Sequence, residues 1–112
     1  MKLMDLAHGY AKVAMVIRPE HRNFADRVHG GVLMSLADQA FACATNTLDG
    51  LYVAVQFNMN LFASPTDGGT VAAECRVVHA GKSIGVAEMV VSDSHGKVLA
   101  RATGTVANVR RR

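Results

Sequence analysis

At 112 residues the chain fits one domain, residues 1–112, and leaves no room for two. Half of the residues are hydrophobic, enough for a core, but there is no tryptophan, so close backbone packing through Ala, Val and Gly has to replace large rings. The formal charge of +3 is partly concentrated at Arg110, Arg111 and Arg112, a short tail that is either simply solvated or meets an anionic partner; no zinc-finger spacing, basic heptad or aromatic-and-basic RNA signature accompanies it, which argues against nucleic acid.

Cys43 and Cys75 lie in apolar segments and read as small core residues, not as a disulfide framework, which points to a reducing compartment. The N-terminus, MKLMDLAHGY, lacks the apolar run of a signal peptide, and no stretch approaches a membrane span. The expectation is a soluble cytoplasmic protein with no membrane partner. A chain this short buries a modest share of its surface alone, so oligomerisation would help it.

In chain order, residues 11–17 (AKVAMVI) predict a strand, and residues 18–29 are polar and irregular, punctuated by Pro19. Residues 30–47 predict one helix, with Val32, Leu33, Leu36, Ala37, Ala40, Phe41 and Ala44 at helical spacing, Gly30 and Gly31 at its start and Gly50 after its end. Residues 52–62 alternate: Val53, Val55, Phe57, Met59 and Leu61 are expected on one face, and Gln56, Asn58 and Asn60 on the other. Strands over about 70–80, 84–92 and 98–109 follow, separated by the turns Ala80-Gly81-Lys82-Ser83 and Ser94-His95-Gly96-Lys97. The order β-α-β-β-β-β, with short turns, predicts an α+β fold with an antiparallel sheet. The helix has few charges, so most of its surface must be covered, and a curved sheet wrapped around it does that. The remaining edge and outer face invite a second copy.

Between Gly30 and Asn46 the one ionisable carboxylate is Asp38, and there is no basic residue. Its neighbours three and four positions away, Met34, Ser35, Phe41 and Ala42, cannot pair with a charge. Asp is also a poor helix-interior residue. One reading is a desolvated carboxylate suited to general-base work; the other is an idle residue on an exposed stripe. His29-Gly30-Gly31 stands where loop becomes helix. There the unpaired N–H groups of a helix start could stabilise an oxyanion, with glycine letting a ligand come close; the alternative is an ordinary Gly-rich helix start.

The segment HGGVLMSLADQAFACATNT, residues 29–47, resembles the signature of the phenylacetate-degradation-type branch of the hotdog thioesterase superfamily: a His-Gly-Gly followed by a helix with an acidic residue nine positions after the His. Asn23, six residues before His29, matches that pattern, and Ser64-Pro65, Gly69 and Gly81-Lys82-Ser83 follow in similar order. The resemblance covers residues 9 to 109. It implies a hotdog fold, a homodimer with two sites at the subunit interface, often paired into tetramers, and hydrolysis of acyl-CoA thioesters without metal or cofactor. It also implies roles. Asp38 would be general base or nucleophile, and the Gly30 N–H would polarise the thioester carbonyl. Asn23 would orient substrate, and His29 would support that loop. Gly31 would stand at the substrate, and the Gly81-Lys82-Ser83 turn would approach the CoA phosphates. The Ser or Thr that some relatives carry on the next strand is Ala54 here, so what positions water is open. By the same resemblance the N-terminus is short, and a lid there would be reduced.

Sharper readings fail. Gly81-Lys82-Ser83 ends like a phosphate-binding P-loop, but Arg76 stands where its first glycine belongs. There is no G-x-S-x-G elbow. Cys43 has no basic neighbour in sequence to activate it, and His8, His21, His29, His79 and His95 lack zinc-site spacing. Three functions remain in view: acyl-CoA thioester hydrolysis, a non-catalytic acyl-CoA-binding hotdog dimer, and an anion-binding protein that uses the basic tail.

Overall fold

The computed structural model describes residues 1–109 other than Phe24, Asp26 and Asp67, so the Arg110–Arg112 tail lies outside the described residues. Six strands and one helix follow in the order β1 (Lys2–Ala7), β2 (Tyr10–Val16), a single 3-10 turn (Pro19–His21), α1 (Gly30–Thr45), β3 (Tyr52–Leu61), β4 (Thr70–Ala80), β5 (Ile84–Asp93) and β6 (Val98–Asn108). All pair antiparallel in one sheet ordered β1-β2-β4-β5-β6-β3, with α1 packed on one face. The predicted α+β architecture holds, with one strand more than the alternation reveals.

That strand is β1. Its six residues are all exposed, and a register shift at Met4 breaks their alternation, so no hydrophobic period marks it. It is held by backbone pairing to β2 through the two-residue turn His8-Gly9. Gly9 has φ +72°, a conformation that glycine adopts without steric cost, and its N–H donates to Thr47 Oγ1 at 2.7 Å.

The core forms where the apolar stripe of α1 meets the sheet. Leu33, Leu36, Ala37, Ala40, Phe41 and Ala44 are buried against Val13, Val71, Ala73, Cys75, Ala87, Met89, Val91, Ala102 and Val106. Small residues on both sides let the helix approach the sheet backbone. One such approach is at Gly104, where a Cβ would stand 2.6 Å from Phe41 Cζ. Phe57, paired with Gly104 across β3 and β6, completes the contact, its ring centroid 6.2 Å from that of Phe41.

β3 corrects one expectation. A bulge at Val55 shifts the register between Ala54, paired with Val106, and Gln56, paired with Thr105. Directly paired residues share a sheet face. Ala54 therefore stands on the helix side together with Phe57, Met59 and Leu61, and Val53, paired with Ala107, falls on the outer face. Val53 is 44% and Val55 58% exposed. An extra residue in one strand resets the two-residue period, so a continuous alternating pattern in sequence need not be a continuous face. β3 is also a sheet edge, and on or beside it Leu51, Val53, Val55, Leu61 and Phe62 are exposed, Val53 on the outer face and Leu61 on the helix side.

The Phe41–Gly104 contact is testable. Gly104→Ala should destabilise the fold by about 1–3 kcal/mol through overpacking. The Gly104→Ala/Phe41→Leu pair should lose less than the sum of the two single changes, because both act on one space. Urea denaturation of the four proteins measures this; strict additivity would contradict the contact.

Candidate active site

The segment before α1 is folded back on itself. Arg22 and Val28 form a bridge, the His29 N–H donates to the His21 carbonyl at 2.8 Å, and the Val28 N–H reaches Ser64 Oγ at 3.3 Å. Asn23 organises the interior of this loop. Its Oδ1 accepts from the N–H groups of Ala25 (3.0 Å) and Arg27 (3.2 Å), and its own N–H donates to the Arg27 carbonyl at 2.7 Å. The chain therefore enters α1 along a fixed path, although residues 18–29 carry no hydrophobic period. The predicted pair Asn23 and His29 is thus part of one small closed structure.

His29 is the N-cap of α1, with φ −62° and ψ 130°. Its Nδ1 accepts the Gly31 N–H at 2.9 Å, which requires that nitrogen to be unprotonated and leaves Nε2 as the protonated position of the neutral ring. The Val32 N–H donates to the His29 carbonyl at 2.9 Å. Of the first three amides of α1, that leaves the Gly30 N–H with no acceptor among the described residues. The two glycines differ in what restricts them. A Cβ on Gly31 would lie 3.0 Å from His29 Nδ1 and disturb the cap, whereas one on Gly30 would meet only Leu61 Cδ1 at 2.9 Å, the tip of a half-exposed side chain.

Asp38 lies two turns further along α1, on the outward stripe it shares with Met34, Ser35, Gln39 and Ala42, all exposed. Its carboxylate has no hydrogen-bond or ion-pair partner among the described residues. Within one protomer nothing desolvates it, so the burial expected of a general base is not supplied by its own chain. Eight residues of helix separate it from Gly30 by roughly 12 Å along the axis. One chain thus brings Asn23, His29, Gly30 and Gly31 together at one corner and keeps Asp38 apart from them.

The Gly81-Lys82-Ser83 turn is further away still. Tyr52 OH donates to the Gly81 carbonyl at 3.4 Å, which puts the turn at the start of β3, while Gly30 stands beside Leu61 at its end. Ten strand residues span roughly 30 Å.

The remaining candidates carry little chemistry. Both cysteines are free; Cys75 is buried, which pushes its thiol up to about 12, and Cys43 is half-buried with Gln39 Nε2 3.8 Å from its sulfur. Among the described residues no group of three or more His, Cys, Asp or Glu side chains is placed to hold a metal ion, and no helix is long and apolar enough to cross a membrane. A groove of about 450 Å³ lies elsewhere, beside Met1, Met4, Val16 and Arg18. Sequence reading missed Tyr52 and Asn108, which anchor the 81–83 turn, because side-chain to backbone bonds across 26 or 29 positions leave no local signal.

Comparison with known proteins settles the lineage of this arrangement. Residues 26–100 match the model of the Thioesterase superfamily, a span that contains the end of the loop, α1, strands β3 to β5 and the start of β6. The chain belongs to the hotdog-fold thioesterase superfamily, in its PaaI-type branch. It is 31% identical over 102 residues to the acyl-coenzyme A thioesterase PaaI of Escherichia coli K12, covering 91% of this chain and 73% of that protein. The structure of the E. coli PaaI protein from the phenylacetic acid degradation operon superimposes with a TM-score of 0.93 at 29% identity, covering 98% of this chain and 80% of that one. The TT0310 protein of Thermus thermophilus superimposes with a TM-score of 0.91 at 37% identity, covering 96% and 91%.

The cap makes a specific forecast for this hotdog chain. His29→Ala should cost about 0.5–2 kcal/mol of stability, and His29→Asn, which keeps a capping acceptor, should cost much less. Equal losses in urea denaturation would show that the ring's acceptor nitrogen does not cap α1.

Proposed function

We propose that the protein hydrolyses acyl-CoA thioesters to the free acid and CoA, as a single hotdog domain working in a homo-oligomer whose smallest form is a dimer. The observation that carries the reading is the open Gly30 N–H at the start of α1, beside a helix whose one carboxylate, Asp38, is exposed and unpaired, in a chain of this family. In this reading the Gly30 N–H, aided by the positive end of the helix, stabilises the oxyanion formed when the thioester carbonyl is attacked. Asp38 either removes a proton from the attacking water or attacks the carbonyl itself. His29 holds Gly31 and so keeps the Gly30 N–H aimed outward, Asn23 fixes the loop around the carbonyl, and Gly31 leaves room for the capping His29 ring beside the substrate. The Gly81-Lys82-Ser83 turn takes the phosphate end.

The distances support a shared site. Reacting groups must converge to about 3–3.5 Å around one carbon, which Gly30 and Asp38 of one chain cannot do across roughly 12 Å of helix. Edge strand β3 offers the remedy. Two copies paired antiparallel along it, about a two-fold axis normal to the sheet, would satisfy the open edge, cover exposed apolar side chains such as Val53 and Leu61 on its two faces, and keep both helices on one face. The same operation places the Tyr52 end of β3 against the Leu61 end of its partner. It brings one protomer's phosphate turn and Asp38 stripe toward the other protomer's Gly30, and it removes water from Asp38. Ala54, on the helix side next to the bulge, offers no hydroxyl to hold water, so Asp38 carries that task alone.

A panel of aromatic, short and medium aliphatic acyl-CoA thioesters, followed by release of free thiol, tests the reading. Wild-type protein should turn over at least one class, and Asp38→Asn should lose about 10²–10⁴-fold in kcat while retaining its fold. Binding of acyl-CoA without thiol release would point instead to a non-catalytic binding dimer, and near-wild-type turnover by Asp38→Asn would remove it from the catalytic role.

A further inference from the structure

The turn between β4 and β5 is a two-residue hairpin closed by the Gly81 N–H on the Ile84 carbonyl at 2.9 Å, and it is tied to other strands as well. Its three successive carbonyls are each occupied from behind. That of Gly81 accepts from Tyr52 OH at 3.4 Å, that of Lys82 from Asn108 Nδ2 at 3.2 Å, and that of Ser83 from the Asn108 backbone N–H at 2.8 Å. Every peptide bond in the described chain is trans, so each carbonyl points opposite to the N–H of the next residue. Holding the Gly81 and Lys82 carbonyls inward therefore turns the Lys82 and Ser83 N–H groups outward. Successive outward amides form a concavity that favours anions. The exposed Lys82 ammonium and His79, whose Nε2 would lie 3.1 Å from a Cβ at Gly81, stand at the same corner.

Asn108 is the hub of this corner. Its Oδ1 accepts the Leu51 N–H at 3.3 Å, so one amide group ties the turn to the chain entering β3. Gly50 yields to it: at φ +119°, its Cβ would fall 2.7–2.9 Å from the Asn108 amide. The Val109 N–H donates to the Leu51 carbonyl at 2.7 Å, so the residue that precedes Arg110–Arg112 in sequence is also held here.

We infer that Asn108 is a positioning residue for substrate: it contacts no phosphate itself, but by holding the Lys82 and Ser83 carbonyls it orients the turn that receives the phosphate groups of the CoA moiety. The inference rests on the acyl-CoA reading above, with a test that separates the two. Asn108→Ala should raise KM for an acyl-CoA roughly 3–10-fold, the size expected from losing a hydrogen bond of about 0.5–1.5 kcal/mol, and leave kcat unchanged. For the same acyl group on N-acetylcysteamine, which has no phosphate, kcat/KM should not move. Dephospho-CoA thioesters, which lack the 3′-phosphate, separate the two phosphate sources: loss of the variant's defect assigns the turn to the 3′-phosphate, and its retention to the diphosphate. Calorimetry with CoA against pantetheine repeats the comparison without hydrolysis, so a wild type that binds CoA but cleaves nothing would fail the thioesterase reading while still testing Asn108. Should Asn108→Ala not fold, Tyr52→Phe, which removes only the bond to Gly81, should act in the same direction with about a twofold effect. Equal losses on CoA and phosphate-free substrates, unchanged KM for acyl-CoA, or no CoA binding by the wild type would overturn the assignment.

Discussion

Phe41 presses its ring onto the backbone of Gly104 at a distance that no Cβ could tolerate, and the roll of α1 on the sheet follows from that contact. With Phe41, Leu33, Leu36, Ala40 and Ala44 turned inward, helical geometry leaves Met34, Ser35, Asp38 and Gln39 no place but the outer stripe. The same seating brings the start of α1 beside Leu61, at one end of edge strand β3. The positions of Asp38 and the Gly30 N–H are therefore consequences of how the core closes, not independent features.

Two kinds of residue then build the candidate site. His29 and Asn23 spend their acceptors on neighbouring amides, Gly31 for His29 and Ala25 and Arg27 for Asn23, so they shape backbone and are not left as loose polar groups. Gly30 and Asp38 are the reverse: a donor and an acceptor left unpaired in one chain, among the described residues. Unpaired polar groups cost little while water reaches them, but they become strong once water is excluded. A site completed by a second copy would keep each half harmless alone and make the groups effective only where they meet. The exposed apolar side chains on edge strand β3 beside them are of the kind that such pairing would cover.

Much of this was legible in the residues, for reasons that can be named. The helix could be read because seven apolar residues repeat at its period, and five strands because turn or irregular residues bracket apolar and alternating runs. β1 could not, since a strand that buries no side chain carries no burial pattern; only the His8-Gly9 turn hints at it. The bulge at Val55 was invisible for the opposite reason: the sequence alternates straight through it, and only pairing with β6 shows that Ala54, not Val53, shares a face with Phe57. Asp38 stood out by its isolation, yet whether it was buried or exposed needed the roll of α1. The work of Asn108 depends on contacts with residues 26 and 57 positions away, which one sequence cannot disclose.

The central claim is that catalysis needs Asp38 from one protomer and Gly30 from its partner, and subunit mixing tests it directly. Gly30→Pro removes the N–H at a helix position where proline is tolerated, and His29 at ψ 130° already has the backbone that a following proline requires. Asp38→Asn and Gly30→Pro homodimers should each be inactive. Mixed in equal amounts, half of the dimers should be heterodimers, each with one doubly defective and one intact site, so roughly a quarter of wild-type activity should return. Folded variants that exchange subunits without recovering activity would contradict a site shared between protomers.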